Sequence, residues 1–326
     1  MIVKFTSTFT LYTLAMILAF HHSALAVELP WNGTEKIVVS VSEGNWNLVP
    51  STGKNVKLEG NDLESFLSIE RKDGQIEIRS KDQASKSDFG KTSGKRRDIQ
   101  LAIPAQASVD FHLLEGQLTV ARLSKEGLLH VQKGKLILKD VAGSWSVHVQ
   151  KGDIQVTDSQ GRLQIDSYAA KVDVKNYSGD TDIANFSGDL SVERVKGFLS
   201  LNQGSGTSRV HNSSGTLQFE LGKGNLNVLQ FGGRVEGQSQ EGTMNISMTP
   251  EGDLNIKTQA GRINITTPAN SGAALNIATQ EGDLYGPSYM KVAREAGSKS
   301  LKGRLKGELG KSSIYIRAQE GSIVVK

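Results

Sequence analysis

Five closely spaced aspartates, Asp166, Asp173, Asp180, Asp182 and Asp189, are the side chains most readily imagined doing chemistry. Glycoside hydrolysis needs two carboxylates held about 5 Å or about 6.5–9.5 Å apart, and polysaccharide lyases and hydrolases occur on elongated β-helices. The segments between these aspartates are too short to wall a cleft, and carboxylates on an outward strand face are ordinarily solvated. A carbohydrate-active enzyme is therefore the alternative reading, and a non-catalytic protein the first. Beyond the N-terminal leader the histidines are His112, His130, His148 and His211. His130 and His148, 18 residues apart, fall on neighbouring coils of a winding chain. Two imidazoles with no carboxylate or thiolate beside them make a poor metal site, so neither metal nor cofactor is expected. The chain has no Cys, which removes thiol nucleophiles, disulfides and lipid-modified cysteine. No serine sits in a nucleophile elbow and no glycine-rich loop has P-loop form.

Two basic clusters stand out as candidate surfaces for an anionic ligand. One comprises Lys86, Lys91, Lys95, Arg96 and Arg97, the other Lys291, Arg294, Lys299, Lys302, Arg304 and Lys306. Charge attraction to an anionic envelope polysaccharide would weaken with salt. The bland alternative is a pair of solvated loops. A net charge of +4 and a pI near 9.0 favour acidic partners without naming one. Nucleic acid is not expected for an exported chain.

The elements carrying these residues announce themselves by repetition. Glycine stands at Gly134, Gly143, Gly152 and Gly161, then at Gly179, Gly188, Gly197, Gly206, Gly215, Gly224, Gly233 and Gly242, with Ala170 filling the one vacancy in a nine-residue frame. The second and fourth residues after each glycine are mostly apolar, as in Leu136 and Leu138 or Ile154 and Val156, with a mostly polar residue between. That alternation is a short strand with one buried face. Stacking like on like buries a continuous core, so the fold class is all-β, a single parallel β-solenoid with about two, at most three, strands per coil. Gly116 to Gly127 and Gly127 to Gly134 span 11 and 7 residues, a long and a short arm that sum to an 18-residue coil. Tyr168, Tyr177, Phe186 and Val195 recur seven after the frame glycine and are expected to plug the corners of the tube; a sugar-stacking stripe is the other reading. The turns lack the glycine-aspartate density of calcium-binding β-rolls. Asp153, Lys171 and Asp189 would form an alternating-charge ladder.

Residues 1–26 read as a signal peptide. Lys4 precedes an apolar run from Phe9 to Phe20, and Ala24-Leu25-Ala26 has a cleavable small-x-small form. The run is shorter than the roughly 20 residues of a membrane span, which predicts a periplasmic, secreted or surface protein. Residues 27–103 hold strands outside the frame and read as N-terminal capping coils, 104–284 as the regular solenoid, and 285–326 as a basic segment with closing strands.

The order of these features resembles the DUF4097 family, an adhesin-domain group of bacterial exported β-solenoids. The resemblance rests on the proline-ended strand Asp98-Ile-Gln-Leu-Ala-Ile-Pro104 leading to Gly116-Gln-Leu-Thr-Val. It rests also on serial units such as Gly152-Asp-Ile-Gln-Val and Gly188-Asp-Leu-Ser-Val, and on the closing Gly310-Lys-Ser-Ser-Ile-Tyr-Ile and Gln319-Glu-Gly-Ser-Ile-Val-Val. It implies a fold and an exported location, and brings no catalytic residues. The expected function is a non-catalytic, adhesin-like envelope module that presents its surface to a polymer or to another envelope protein.

Overall fold

The computed structural model describes residues 25–81, 97–308 and 312–326. The expected signal peptide, apart from Leu25 and Ala26 at the start of β1, lies outside the described residues, as do Lys86, Lys91, Lys95 and Arg96. The fold is all-β, with one short helix, α1 (Leu63–Phe66), among the described residues. Its centre is β7 (Val109–Ala121), β8 (Gly127–Lys139), β9 (Ser144–Ser187), β10 (Leu190–His211) and β11 (Ser214–Glu241). These pair in parallel with each residue beside the one 18 positions on: Gly116 with Gly134, Gly134 with Gly152, Leu199 with Leu217. β9 winds through more than one turn without interruption. Rung spacing is about 4.8 Å.

The inward positions form apolar columns. Leu136, Leu138, Ile154, Val156, Ile165, Val172, Val174 and Ile183 are all fully buried. Each buried side chain of this size is worth about 1.5–3 kcal/mol. One ring is accommodated by the rung beneath it. Trp145 faces Gly127 in register, and a methyl at Gly127 would overlap ring carbons Cζ3 and Cε3. Gly127 is thus a core position and not a corner. The corner of its rung is at Lys125, whose carbonyl lies under Gly143, so the division into arms of 11 and 7 residues does not hold.

The frame glycines alternate between two unlike corners. At the first, Gly116, Gly134 and Gly152 all have φ 144°, open only to glycine, and a methyl on Gly152 would overlap the Gly134 carbonyl oxygen. Ala170 belongs to this column, and its φ is not positive. At the second corner, Asp140, Asp158, Asn176, Arg194, Asn212 and Gln230 precede the glycine by three residues with φ of 50–55°. Asn and Asp tolerate that region best among non-glycine residues. This alternation splits the expected aromatic plug. Tyr177 and Val195, on one corner, are 2% and 1% exposed, whereas Tyr168 and Phe186, on the other, are 61% and 60% exposed.

Both ends are interleaved. Towards the N-terminus, β2 (Lys36–Pro50) lies between β7 on one side and β5 (Gln75–Ser80) and β6 (Asp98–Ile103) on the other, all parallel. Antiparallel strands β1 (Leu25–Pro30), β3 (Asn55–Gly60) and β4 (Leu67–Lys72) complete that end. At the other end β12 (Thr243–Met248) and β13 (Asp253–Thr266) continue the winding. The last strand, β18 (Ser313–Val325), lies between β13 and the outer coil of β14 (Ala274–Thr279) and β15 (Leu284–Tyr285). β17 (Ser298–Arg304) and β16 (Ala293–Glu295) then close β14 in antiparallel fashion.

Candidate functional site

Along the strand leading into the first corner, alternate residues point outward and repeat on every rung. One outward stripe reads His112, His130, His148, Asp166, Ala184, Asn202; the next reads Leu114, Gln132, Gln150, Tyr168, Phe186, Gly204. Together they line a groove of about 640 Å³. The three imidazoles are stacked, with centroids 4.5 and 4.7 Å apart and planes within 5° and 12°. A carboxylate stands at each end of the ladder. His112 Nε2 is 2.8 Å from Asp110 Oδ1, and His148 Nε2 is 3.2 Å from Asp166 Oδ2. The histidines therefore do have carboxylate neighbours, contrary to the linear reading, because residues one rung or one alternation away come together. Burial, and then its two imidazole neighbours, hold the pKa of His130 below the ordinary histidine value. Parallel stacking points the ring edges alongside one another, and among the described residues no group of three or more His, Asp or Glu has metal-holding geometry.

Tyr168 and Phe186 stack nearly parallel, 4° between planes and 5.0 Å between centroids. Beneath them, the buried Asn185 donates to the Ala170 carbonyl at 3.0 Å and accepts from the Ser167 hydroxyl at 2.9 Å, and Gln203 donates to the Gly188 carbonyl at 2.6 Å. These amides fix the corner from inside and thereby set the outward direction of the rings. The rungs after Phe186 carry Gly204 and then Gly222, where a Cβ would sit against the backbone oxygen of the rung before. Beyond them the stripe resumes with Gln240, Gln259, Gln319 and Gln280, along a second hollow of about 550 Å³ that also holds Lys257 and Arg317. The first groove has no Lys or Arg among its described lining residues.

Of the residues singled out in the sequence, His130, His148, Asp166, Tyr168 and Phe186 line the first groove, whereas the basic residues and the other aspartates lie elsewhere. Arg97 is largely covered, paired to Glu43 at 3.0 Å with its guanidinium 4.4 Å over the Phe66 ring. Lys291, Arg294, Lys299, Lys302, Arg304 and Lys306 are at the opposite end of the solenoid, on or beside β16 and β17. Three of these are tethered: Lys299 to Asp283 at 2.6 Å, Arg304 to the Gly272 carbonyl at 3.0 Å, and Lys306 over Tyr289 at 4.5 Å. The five aspartates are dispersed. Asp166 faces His148, Asp173 pairs with Lys175 at 3.1 Å, and Asp180 and Asp182 are exposed. Asp189 accepts from the Thr207 N–H at 3.1 Å and lies 3.6 Å from Arg209. The groove escaped notice because its members are 18 residues apart, whereas the nine-residue frame merges the two corners. Reading every second frame, Gln132, Gln150, Tyr168, Phe186, would have shown it.

The fold defines a β-solenoid-like protein with a stacked-ring groove along one corner. The family model described as Toastrack DUF4097 matches residues 34–326, and the chain belongs to that family. Solved structures similar to it include a putative lipid binding protein from Parabacteroides distasonis, 12% identical with a TM-score of 0.34, covering 94% of this chain and 98% of that one. Another is a putative adhesin from Bacteroides fragilis, 14% identical with a TM-score of 0.29 and coverage of 94% and 98%. A putative cell adhesion protein from Clostridium sporogenes is 12% identical, with a TM-score of 0.20 and coverage of 93% and 99%. No curated protein matches the chain. Among the described residues no helix is long and apolar enough to cross a membrane.

Proposed function

We propose that this protein is an exported, non-catalytic, adhesin-like module that holds an extended envelope partner along the first-corner groove. The observation that carries this reading is the pair of parallel rings, Tyr168 and Phe186, held outward from a corner whose interior is locked by Asn185. Large exposed apolar rings in a polar surface mark interaction sites. The winding is read as two strands per coil, which gives the groove one ledge residue per rung and so suits a partner with a regular repeat. A signal peptide over residues 1–26 would deliver the chain to the envelope or beyond. Absence of catalysis is favoured by the groove's chemistry: the Ser167 hydroxyl is engaged by Asn185, and Asp166 is engaged by His148. The exposed basic residues not tethered above, Lys291, Arg294 and Lys302, are assigned a secondary, salt-sensitive contact with anionic envelope polymer.

Retention of the purified protein on insoluble envelope material tests the reading. Tyr168→Ser with Phe186→Ser should abolish retention, while Leu229→Ser, an exposed apolar change elsewhere, should leave it intact. Incubation with envelope polysaccharides should release no fragments. Unchanged retention by the double variant would remove the groove from consideration, and released fragments would overturn the non-catalytic assignment.

A further inference from the structure

Phe186 has one face on Tyr168 and, among the described residues, no ring partner on the other, and it is 60% exposed. The next two places in its stripe are Gly204 and Gly222, so two consecutive rungs contribute no side chain before Gln240. A Cβ on Gly204 would already lie 3.4 Å from Phe186 Cδ2, so the bare backbone there lies directly under the open side of the ring. The result is a slot across the corner, about three rungs or roughly 14 Å from Phe186 to Gln240 at the usual rung spacing. Its floor is peptide backbone and its end wall is an aromatic face perpendicular to the solenoid axis. One side carries neutral or acidic groups on the adjacent stripe: Asn202 on the rung of Gly204, then Glu220, then Gln238, which donates to Glu220 at 3.2 Å; on the other, Lys223 follows Gly222 and pairs with Glu241 at 3.7 Å. Asn202, Glu220 and Gln238 are exposed.

We propose that this slot is a saccharide subsite, occupied by a pyranose ring of an uncharged glycan whose chain runs along the corner. The inference rests on the groove reading above and names its ligand class. The ring's axial C–H face stacks on the free face of Phe186, extending the Tyr168–Phe186 column by one member. Its hydroxyl or acetamido groups exchange hydrogen bonds with Asn202, Glu220 and Gln240, which offer both donors and acceptors. Charge selects against an acidic sugar here. Among the described residues the cation at the slot, Lys223, is paired to Glu241 at 3.7 Å, Glu220 adds a further carboxylate, and Lys257 and Arg317 lie beyond Gln240, so an acidic sugar gains no net attraction within the slot. The amide row Gln240, Gln259, Gln319, Gln280 continues the track with side chains that suit a polyhydroxylated chain equally well.

Calorimetric titration of the full chain with cellohexaose and chitohexaose, beside an oligogalacturonate of equal length, tests this. Binding of at least one neutral hexasaccharide, none of the oligogalacturonate, and a loss of about ten-fold or more in affinity for Phe186→Ala are expected. Phe186→Trp should restore it, and circular dichroism checks that each variant is folded. Equal affinity of Phe186→Ala and the parent for the neutral sugars would overturn the slot assignment. Failure of both neutral sugars to bind, with envelope retention still dependent on Tyr168 and Phe186, would overturn the saccharide and leave the groove reading standing. Retention that disappears when the envelope material is treated with protease would identify a protein partner and likewise overturn it.

Discussion

Trp145 and Gly127 give the sharpest test of how the rungs are fitted to one another. They face each other across β8 and β9, and the three atoms nearest an added methyl at residue 127 are all Trp145 ring carbons. Backbone strain does not enter, because Gly127 is not in the left-handed region. Gly127→Ala alone therefore overpacks the core, at about 1–3 kcal/mol. Trp145→Ala alone empties an enclosed site and removes the indole N–H donation to the Ala142 carbonyl at 2.8 Å, at about 3–5 kcal/mol. With the indole gone the same methyl has room. It buries about 0.8 kcal/mol of apolar surface and restricts the unfolded chain for about 0.4–1 kcal/mol more. Gly127→Ala should thus stabilise the Trp145→Ala protein, and the coupling between the two changes should reach about 2–5 kcal/mol. Urea unfolding followed by far-ultraviolet circular dichroism measures it, comparing midpoints at unchanged slope. Additivity within about 0.5 kcal/mol would refute the packing argument.

Acidification should weaken the fold through His130. Its folded pKa lies below the ordinary 6.5, so the unfolded chain takes up the proton first, and stability falls as pH drops through about 6.5 and levels off above it. The urea midpoint at pH 5 relative to pH 7.5 should drop more in the parent than in His130→Gln. Removing residues 312–326 takes away β18, which is bonded on both flanks, so amide exchange should accelerate across 274–304 as well as in β13. Arg97→Ala should lower stability by about 1–3 kcal/mol, since it removes the 3.0 Å charge-assisted hydrogen bond to Glu43 and uncovers Phe66. Lys302→Ala, on an exposed position, should stay within about 0.5 kcal/mol; a larger effect there would show that β17 is held by more than its backbone.

Much of the solenoid was legible because its inward positions obey a strict rule. Leu136 and Leu138, Ile154 and Val156, Leu217 and Phe219 each follow a frame glycine by two and four residues, and every one is buried. What the frame concealed was the difference between corners. Glycine at Gly152 and glycine at Gly161 look alike in sequence, yet a left-handed Asp158 precedes only the second. The frame alone makes Tyr168 and Tyr177 equivalent, although one faces solvent and the other the core. In the sequence Gly127 resembles a corner, because an empty space for Trp145 and a tight bend both select the same residue. The histidine ladder was half visible, from the spacing of His130 and His148. His112 and Asp166 extend it by the same 18-residue step, and Asp110 joins from two residues before His112 on the same strand. The basic clusters were read from charge density alone, which cannot tell a free cation from one such as Arg97 that braces a ring and a carboxylate.

The unlike corners also make the molecule's length a matter of parity. Excising one whole turn of 18 residues from the middle of β9–β11 would shorten the solenoid and leave every remaining ledge residue in its old column. Excising half that number would exchange the two edges for everything downstream, moving Gln240, Gln259 and Gln319 away from Phe186 and asking the glycine-cornered carbonyls to stack on Asp140-type bends. Relatives that tolerate the groove should therefore differ in the regular region by full turns, whereas those that differ by half turns should have lost the aromatic pair.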